Sequence, residues 1–202
     1  QRQMCIRDRV TGTEVILGLL IGAILGALTA IQLAASPKLA RLMLPLLVFT
    51  QAVPVFALAP ILTLWFGYGM ASKIVMAVLI IYFPVTSSFY DGLMHVTPAL
   101  LDLAKTMGAS NVQVMRRIKI PHALPSLASG LKLAAVYAPI GAVIGEWVGS
   151  SQGLGYLMLL ANGRAKIDLM FASLIALAVL TVVLHRVVSG VADRLNDISQ
   201  VR

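Results

Sequence analysis

Long stretches of this chain carry no formal charge: Val15 to Pro37, Leu42 to Ser72, Ile74 to Tyr90 and Leu169 to His185. A membrane-crossing helix needs about 20 mostly apolar residues to cover about 30 Å of hydrocarbon. Lipid offers no partner to backbone groups, so runs of this kind are satisfied as helices that pair their own N–H and C=O. The shorter runs reach spanning length with their flanks. Composition agrees: of 202 residues, 59% are hydrophobic and 12% charged, against about half apolar and a quarter charged in soluble domains. No ten-residue alternating pattern suggests a transmembrane barrel.

The runs predict an all-α, polytopic membrane protein with spans at about 12–35, 42–66, 71–91, 123–148 and 168–192. Gly18, Gly22 and Gly26 recur every four residues in the first span, a small-xxx-small stripe suited to close helix packing. Pro45, Pro54 and Pro60 fall in the second. Each removes a backbone donor, so that span is expected to be bent or broken and buried among others. Gln1 to Arg9 is polar, charged and without periodicity. It reads as foreign to the fold, similar to adapter-derived peptides, and residues 10–202 as a single membrane domain lacking a native first helix.

The net charge is +8, but Lys and Arg sit at the edges of the apolar runs, with no aromatic-interleaved groove for nucleic acid. They also orient the chain. With the segment between spans three and four in the cytoplasm, the inside carries Lys38, Arg41, Lys105, Arg116, Arg117, Lys119, Arg186, Arg194 and Arg202. The outside carries Lys73, Arg164 and Lys166, which follows the positive-inside rule. Cys5 is the one cysteine, and His95, His122 and His185 are scattered. That gives no disulfide framework and no metal-ligand spacing. A phosphate loop of the GxxxxGK[ST] form is absent, as are catalytic triads and carboxylate pairs.

The loop from about His95 to Leu124 holds the densest signals. Thr97 or Pro98 opens a helix running to Met107. Gly108 suits its C-cap. Ser110 with Gln113 forms a capping-box pattern for a second helix to about Lys119, where Pro121 limits extension. The expectation is a helix–turn–helix outside the membrane, with Val114 and Ile118 on one face.

This loop resembles that of binding-protein-dependent ATP-binding-cassette importer permeases: Glu-Ala-Ala, three residues, Gly, nine residues, Ile, one residue, Leu-Pro. Here Asp102, Leu103 and Ala104 precede Gly108, then Ile118, Ile120 and Pro121, at the same spacing. Asp replaces Glu, Leu replaces the first Ala, and Ile replaces Leu. Three further stretches, 51–69, 129–158 and the last span, are similar to the subfamily serving nitrate, sulfonate, taurine and thiamine-precursor importers. The sequence YAPIGAVIGEWVG is most similar to hydroxymethylpyrimidine permeases.

The resemblance implies a type I importer-like fold in the bacterial inner membrane. It also implies a coupling role for Asp102, Ala104, Gly108, Ala109, Ser110, Ile118 and Pro121. The implied partners are a separate ABC ATPase, a solute-binding protein and a second permease copy as a homodimer, with lipid around them. No cofactor or catalytic residue is implied, since ATP hydrolysis belongs to the partner.

Candidate path residues come from span four. An ionisable residue at membrane depth marks a functional site by default. Glu146 either lines the path or closes an outer gate, or it is an interfacial glutamate beside the Trp147 anchor. Tyr137 with Pro139 bends the helix around a cavity. Gly153 to Tyr156 forms a turn before a short outer helix. Thr86, Ser87 and Ser88 either face a pore or bond their own helix. An ATP-independent channel or secondary transporter is the competing class; its usual inverted repeats are not seen.

Overall fold

The computed structural model describes the backbone of residues 2–200 and side-chain surroundings for residues 9–197. Gln1, at the start of the segment expected to be foreign, and Arg202, one of the counted basic residues, lie outside the described residues.

The described chain is helical: α1 Arg2–Ala35, α2 Pro37–Ala52, α3 Val55–Phe66, α4 Met70–Met94, α5 Pro98–Thr106, α6 Asn111–Val114, a π-helical turn Met115–Lys119, α7 Ile120–Gly149, α8 Leu154–Gly163 and α9 Ile167–Gln200. Four continuous helices are long and apolar enough to cross a bilayer, Arg9–Ala35, Met70–Met94, Asn111–Gly149 and Ile167–Asp197. The pair α2–α3 makes a fifth crossing if its two parts form one span.

α4 lies between α1 and α7. The glycine stripe of α1 makes the first contact possible. A Cβ on Gly18 would come within 2.6 Å of Ala77 Cβ, and one on Gly22 within 2.5 Å of the Ile81 side chain. On the other flank, a Cβ on Gly141 of α7 would stand 2.7 Å from Ala77 Cα. Val15, Leu19, Ile81, Val85, Ala134, Ala138 and Ala142 fill the common core. Small side chains thus bring three backbones together, the usual source of helix association where lipid removes the hydrophobic driving force. Lys132 of α7 reaches Asp193 of α9 at 2.9 Å.

The second span is bent by 97° between α2 and α3. Pro45 and Pro60 sit within their helices, and the chain breaks at Pro54. Val53 before it is extended, at φ −80° and ψ 119°, as the residue before proline prefers. α2 begins at Pro37, five residues earlier than predicted, because the Ser36 hydroxyl caps it by accepting from the Leu39 N–H. The expectation that this span is buried among others does not hold: Leu42, Phe49, Phe56, Leu64 and Trp65 are all exposed within the protomer.

Candidate functional sites: a cytoplasmic loop and a buried outer cluster

The cytoplasmic excursion is built from two capping motifs. Pro98 fills the first position of α5, where a missing N–H costs nothing. At its other end Gly108 takes φ +74°. The Gly108 N–H donates to Lys105 O and the Ala109 N–H to Ala104 O, each at 2.9 Å. These are the paired bonds of a Schellman cap, which satisfies the last carbonyls of α5. Ser110 then accepts from the Gln113 N–H at 3.3 Å, and Gln113 Oε1 accepts from the Ser110 N–H at 2.8 Å. The predicted capping box is therefore formed on both sides.

The second helix differs from the prediction. Pro121 does not end it; Asn111–Gly149 is one continuous 39-residue helix. The physical reason lies just before the proline. The Ile120 N–H bonds Met115 O in π register, so the ladder shifts where Pro121 has no N–H to give. The second arm of the loop is thus the cytoplasmic end of α7, and not a separate surface helix.

Leu103, Met107 and Val112 are exposed on this excursion, Met107 at 78%. Ala104 is buried beneath them, and Val114, Ile118 and Pro121 are half-buried. Arg116 and Arg117 are exposed. Asp102 projects outward and meets only Lys105 of its own turn, at 3.5 Å. A shallow groove of ≈ 410 Å³ runs between the arms, lined by residues that include Ala104, Gly108, Ala109 and Ile118. Of the loop residues singled out from the sequence, Ala104, Gly108, Ala109 and Ile118 come together around this groove, whereas Asp102, Ser110 and Pro121 are not among its lining residues.

At the opposite end of the bundle lies a cluster with almost no sequence signal. Glu146 is fully buried. Its Oε1 accepts from the Thr11 hydroxyl at 2.6 Å and its Oε2 from the Gly155 N–H at 2.5 Å. Thr11 Oγ1 also accepts from the Leu154 N–H at 2.9 Å. These are first-turn N–H groups of α8, whose N-cap Gly153 has no side chain to serve them. A carboxylate and a hydroxyl from two other helices supply the cap. Gly153, at φ +107°, must be glycine on two counts, since a Cβ there would overlap the Glu146 carboxyl.

Beside it, Lys73 Nζ of α4 donates to Glu14 Oε1 of α1 at 3.0 Å and to Ser150 Oγ at 2.7 Å. Glu14 and Glu146 are close enough to interact. Lys73, counted above among the outside cations, is thus a buried ion-pair partner with a 6% exposed side chain. The periodicity of the first span held no hint that Thr11, 135 residues away, and Glu14 come near Glu146. Glu14, an acid near the start of the first apolar run, is the one signal available. Trp147 points elsewhere and is 49% exposed. Tyr137 is neither with the loop nor with the cluster; it lines a groove shared by α2, α3, α4 and α7.

Residues 18–197 match the family described as the binding-protein-dependent transport system inner membrane component. This chain belongs to that family. The permease is 55% identical over 177 residues to a probable ABC transporter permease of Haemophilus influenzae, covering 88% of this chain and 72% of the relative. It is 43% identical over 140 residues to the formylaminopyrimidine transport permease ThiX of Halalkalibacterium halodurans, with 69% and 56% covered. It is 37% identical over 151 residues to the riboflavin permease RibX of Chloroflexus aurantiacus, with 75% and 56% covered. The chain thus spans little more than half the length of the last two. Among solved structures, a chain of the MetNI methionine ABC transporter in an inward-facing conformation superposes with TM-score 0.75 at 20% identity, over 96% of this permease and 94% of that chain. That likeness supports the fold. The permease is a multi-pass inner-membrane component of an ABC importer, which removes the channel and secondary-transporter readings.

Proposed function

We propose that this permease passes a small solute from a binding protein on the outer side to the cytoplasm, driven by a separate ATPase that docks on residues 98–121. The observation that carries the docking assignment is the loop itself. Two reciprocal caps make it rigid, it exposes Leu103, Met107 and Val112, and its second arm is continuous with α7. A push on the turn travels along a 39-residue helix without crossing a flexible joint. Asp102, Ala104, Gly108, Ala109, Ser110, Ile118 and Pro121 are assigned to coupling on this basis. Glu146 is assigned to holding α8 at the outer end and not to a gate, while Tyr137 stays with the path.

For the solute, the reading is a pyrimidine of the thiamine-precursor class. ThiX and RibX, whose names specify flat heterocycles, are 43% and 37% identical. The sulfonate permease SsuC of Bacillus subtilis is 32% and the taurine permease TauC of Escherichia coli 27% identical. Sulfonate, taurine or nitrate transport is the alternative. A second copy of the permease completes the path as a homodimer. The test is coexpression with the cognate ATPase and binding protein, followed by copurification and ATP-dependent uptake in proteoliposomes. Loss of the ATPase during mild purification of the intact complex, with no ATP-dependent uptake, overturns the assignment.

A further inference from the structure

We propose that the groove at the α2–α3 break is a solute-contact site on the translocation path, and that it takes an uncharged, flat heteroaromatic solute of the aminopyrimidine class. The inference rests on the permease reading above and adds to it the site and its selectivity. The groove measures ≈ 520 Å³ and is lined by residues that include Gln51 beside the break, Phe83, Ser87 and Ser88 of α4, and Tyr137 of α7. That is room for a small molecule.

Its polar side chains are left open, as Ser126 and Ser189 also are, whereas most hydroxyls in the spans bond their own helix. Thr29, Thr63, Thr86, Ser173 and Thr181 each return the hydroxyl to the carbonyl four residues back. Among the described residues, the side chains of Gln51, Ser87, Ser88 and Tyr137 form no such bond. Polar groups left open at membrane depth are costly against lipid and belong to an internal cavity.

The other side of α7 gives the contrast. Leu131, two residues before Leu133, lines a groove of the same ≈ 520 Å³ between α1 and α9. Two helical residues are about 200° apart, so the two grooves lie on nearly opposite faces. The α1–α9 groove is walled by residues such as Val15, Leu19, Leu184 and Val188, with no polar side chain among its described lining residues. α7 therefore has a lipid-like face and a hydrogen-bonding face.

Among the described residues, no Lys, Arg, Asp or Glu lines the polar groove. A sulfonate there would leave its water without a counter-charge, which is strongly unfavourable. A neutral heterocycle loses far less. The Gln51 amide offers a donor and an acceptor for a ring nitrogen and its amino group. Phe83 and Tyr137 offer ring faces for stacking.

The test uses the complete importer in proteoliposomes, with labelled hydroxymethyl-aminopyrimidine and labelled taurine as probes. Wild type takes up the pyrimidine and not taurine. Gln51→Leu and the double variant Ser87→Ala/Ser88→Ala each lower pyrimidine uptake per ATP hydrolysed by roughly three- to ten-fold, the loss of about one hydrogen bond each. Bound ATPase and its basal hydrolysis stay at the wild-type level. Tyr137→Phe keeps the ring and guards against misfolding of the stronger variants; it lowers uptake less than Tyr137→Leu. Unchanged uptake per ATP across these variants overturns the site. ATP-driven uptake of taurine but not pyrimidine overturns the solute class while leaving the permease reading intact. Failure of wild type to bind its ATPase overturns both.

Discussion

Glu146 acts at a distance from its own helix. Its carboxylate and the Thr11 hydroxyl occupy the place that a Ser or Asp N-cap would fill in α8. Glu146→Ala leaves the Gly155 N–H and the Thr11 hydroxyl buried without this partner, at a cost of about 1–3 kcal/mol for buried polar groups that lose a hydrogen bond. Glu146→Gln keeps an acceptor and costs less. Thermal unfolding in detergent should rank wild type above Gln above Ala, and an Ala variant as stable as wild type would remove the capping role. Gly141 offers a second measurement. Its Cβ would meet the Ala77 backbone, so Gly141→Ala must spread α4 from α7 and should lose about 1–3 kcal/mol. Gly12 has nothing within 4 Å, and Gly12→Ala should leave stability unchanged or slightly raised. Equal melting temperatures for the two alanine variants would contradict the close α4–α7 approach.

For the elements, the loop of residues 98–121 shows what local sequence can specify. Gly108, Ser110 and Gln113 carry their geometry in their own chemistry, so the cap, the turn and the restart were readable from spacing alone. The continuity through Pro121 was not, because a π-turn is a property of the hydrogen-bond ladder and leaves no residue-type signature. The same division holds in the second span: three prolines predicted a break, but only Pro54 makes one. Gly108→Val places a β-branched residue at φ +74°, at about 1–3 kcal/mol of local strain. The Schellman bonds then give way and α5 swings relative to α7. At equal membrane expression, ATPase copurification and uptake should both fall while insertion is unchanged. Retention of both would remove Gly108 from coupling.

Across the whole molecule, the apolar runs gave the class and four of the five expected crossings as continuous helices, whereas the outer cluster stayed hidden. Thr11, Glu14, Lys73 and Glu146 are isolated polar residues in separate segments, and only the packing of α1 on α4 and α7 gathers them. The exposed side of α3, with Leu64 at 78% and Trp65 at 77%, fits a permease whose path is completed by a second copy. Crosslinking of the assembled importer in lipid should yield permease dimers; monomers alone, with the ATPase bound, would count against the homodimer.

The Glu14–Lys73 pair also bears on how the chain is made. The two partners are separated by 59 positions, and at about 5–20 residues per second the lysine is synthesised roughly 3–12 s after the glutamate. During that interval α1 reaches the insertion machinery with an acid whose lysine partner has not yet been made, and a charge within an apolar helix opposes partition into lipid. Release of α1 into the bilayer is therefore expected to wait for α4. A nascent chain ending at Gln51 should integrate less completely than its Glu14→Leu counterpart, and extension through Met94 should close the gap, as read by glycosylation mapping in microsomes.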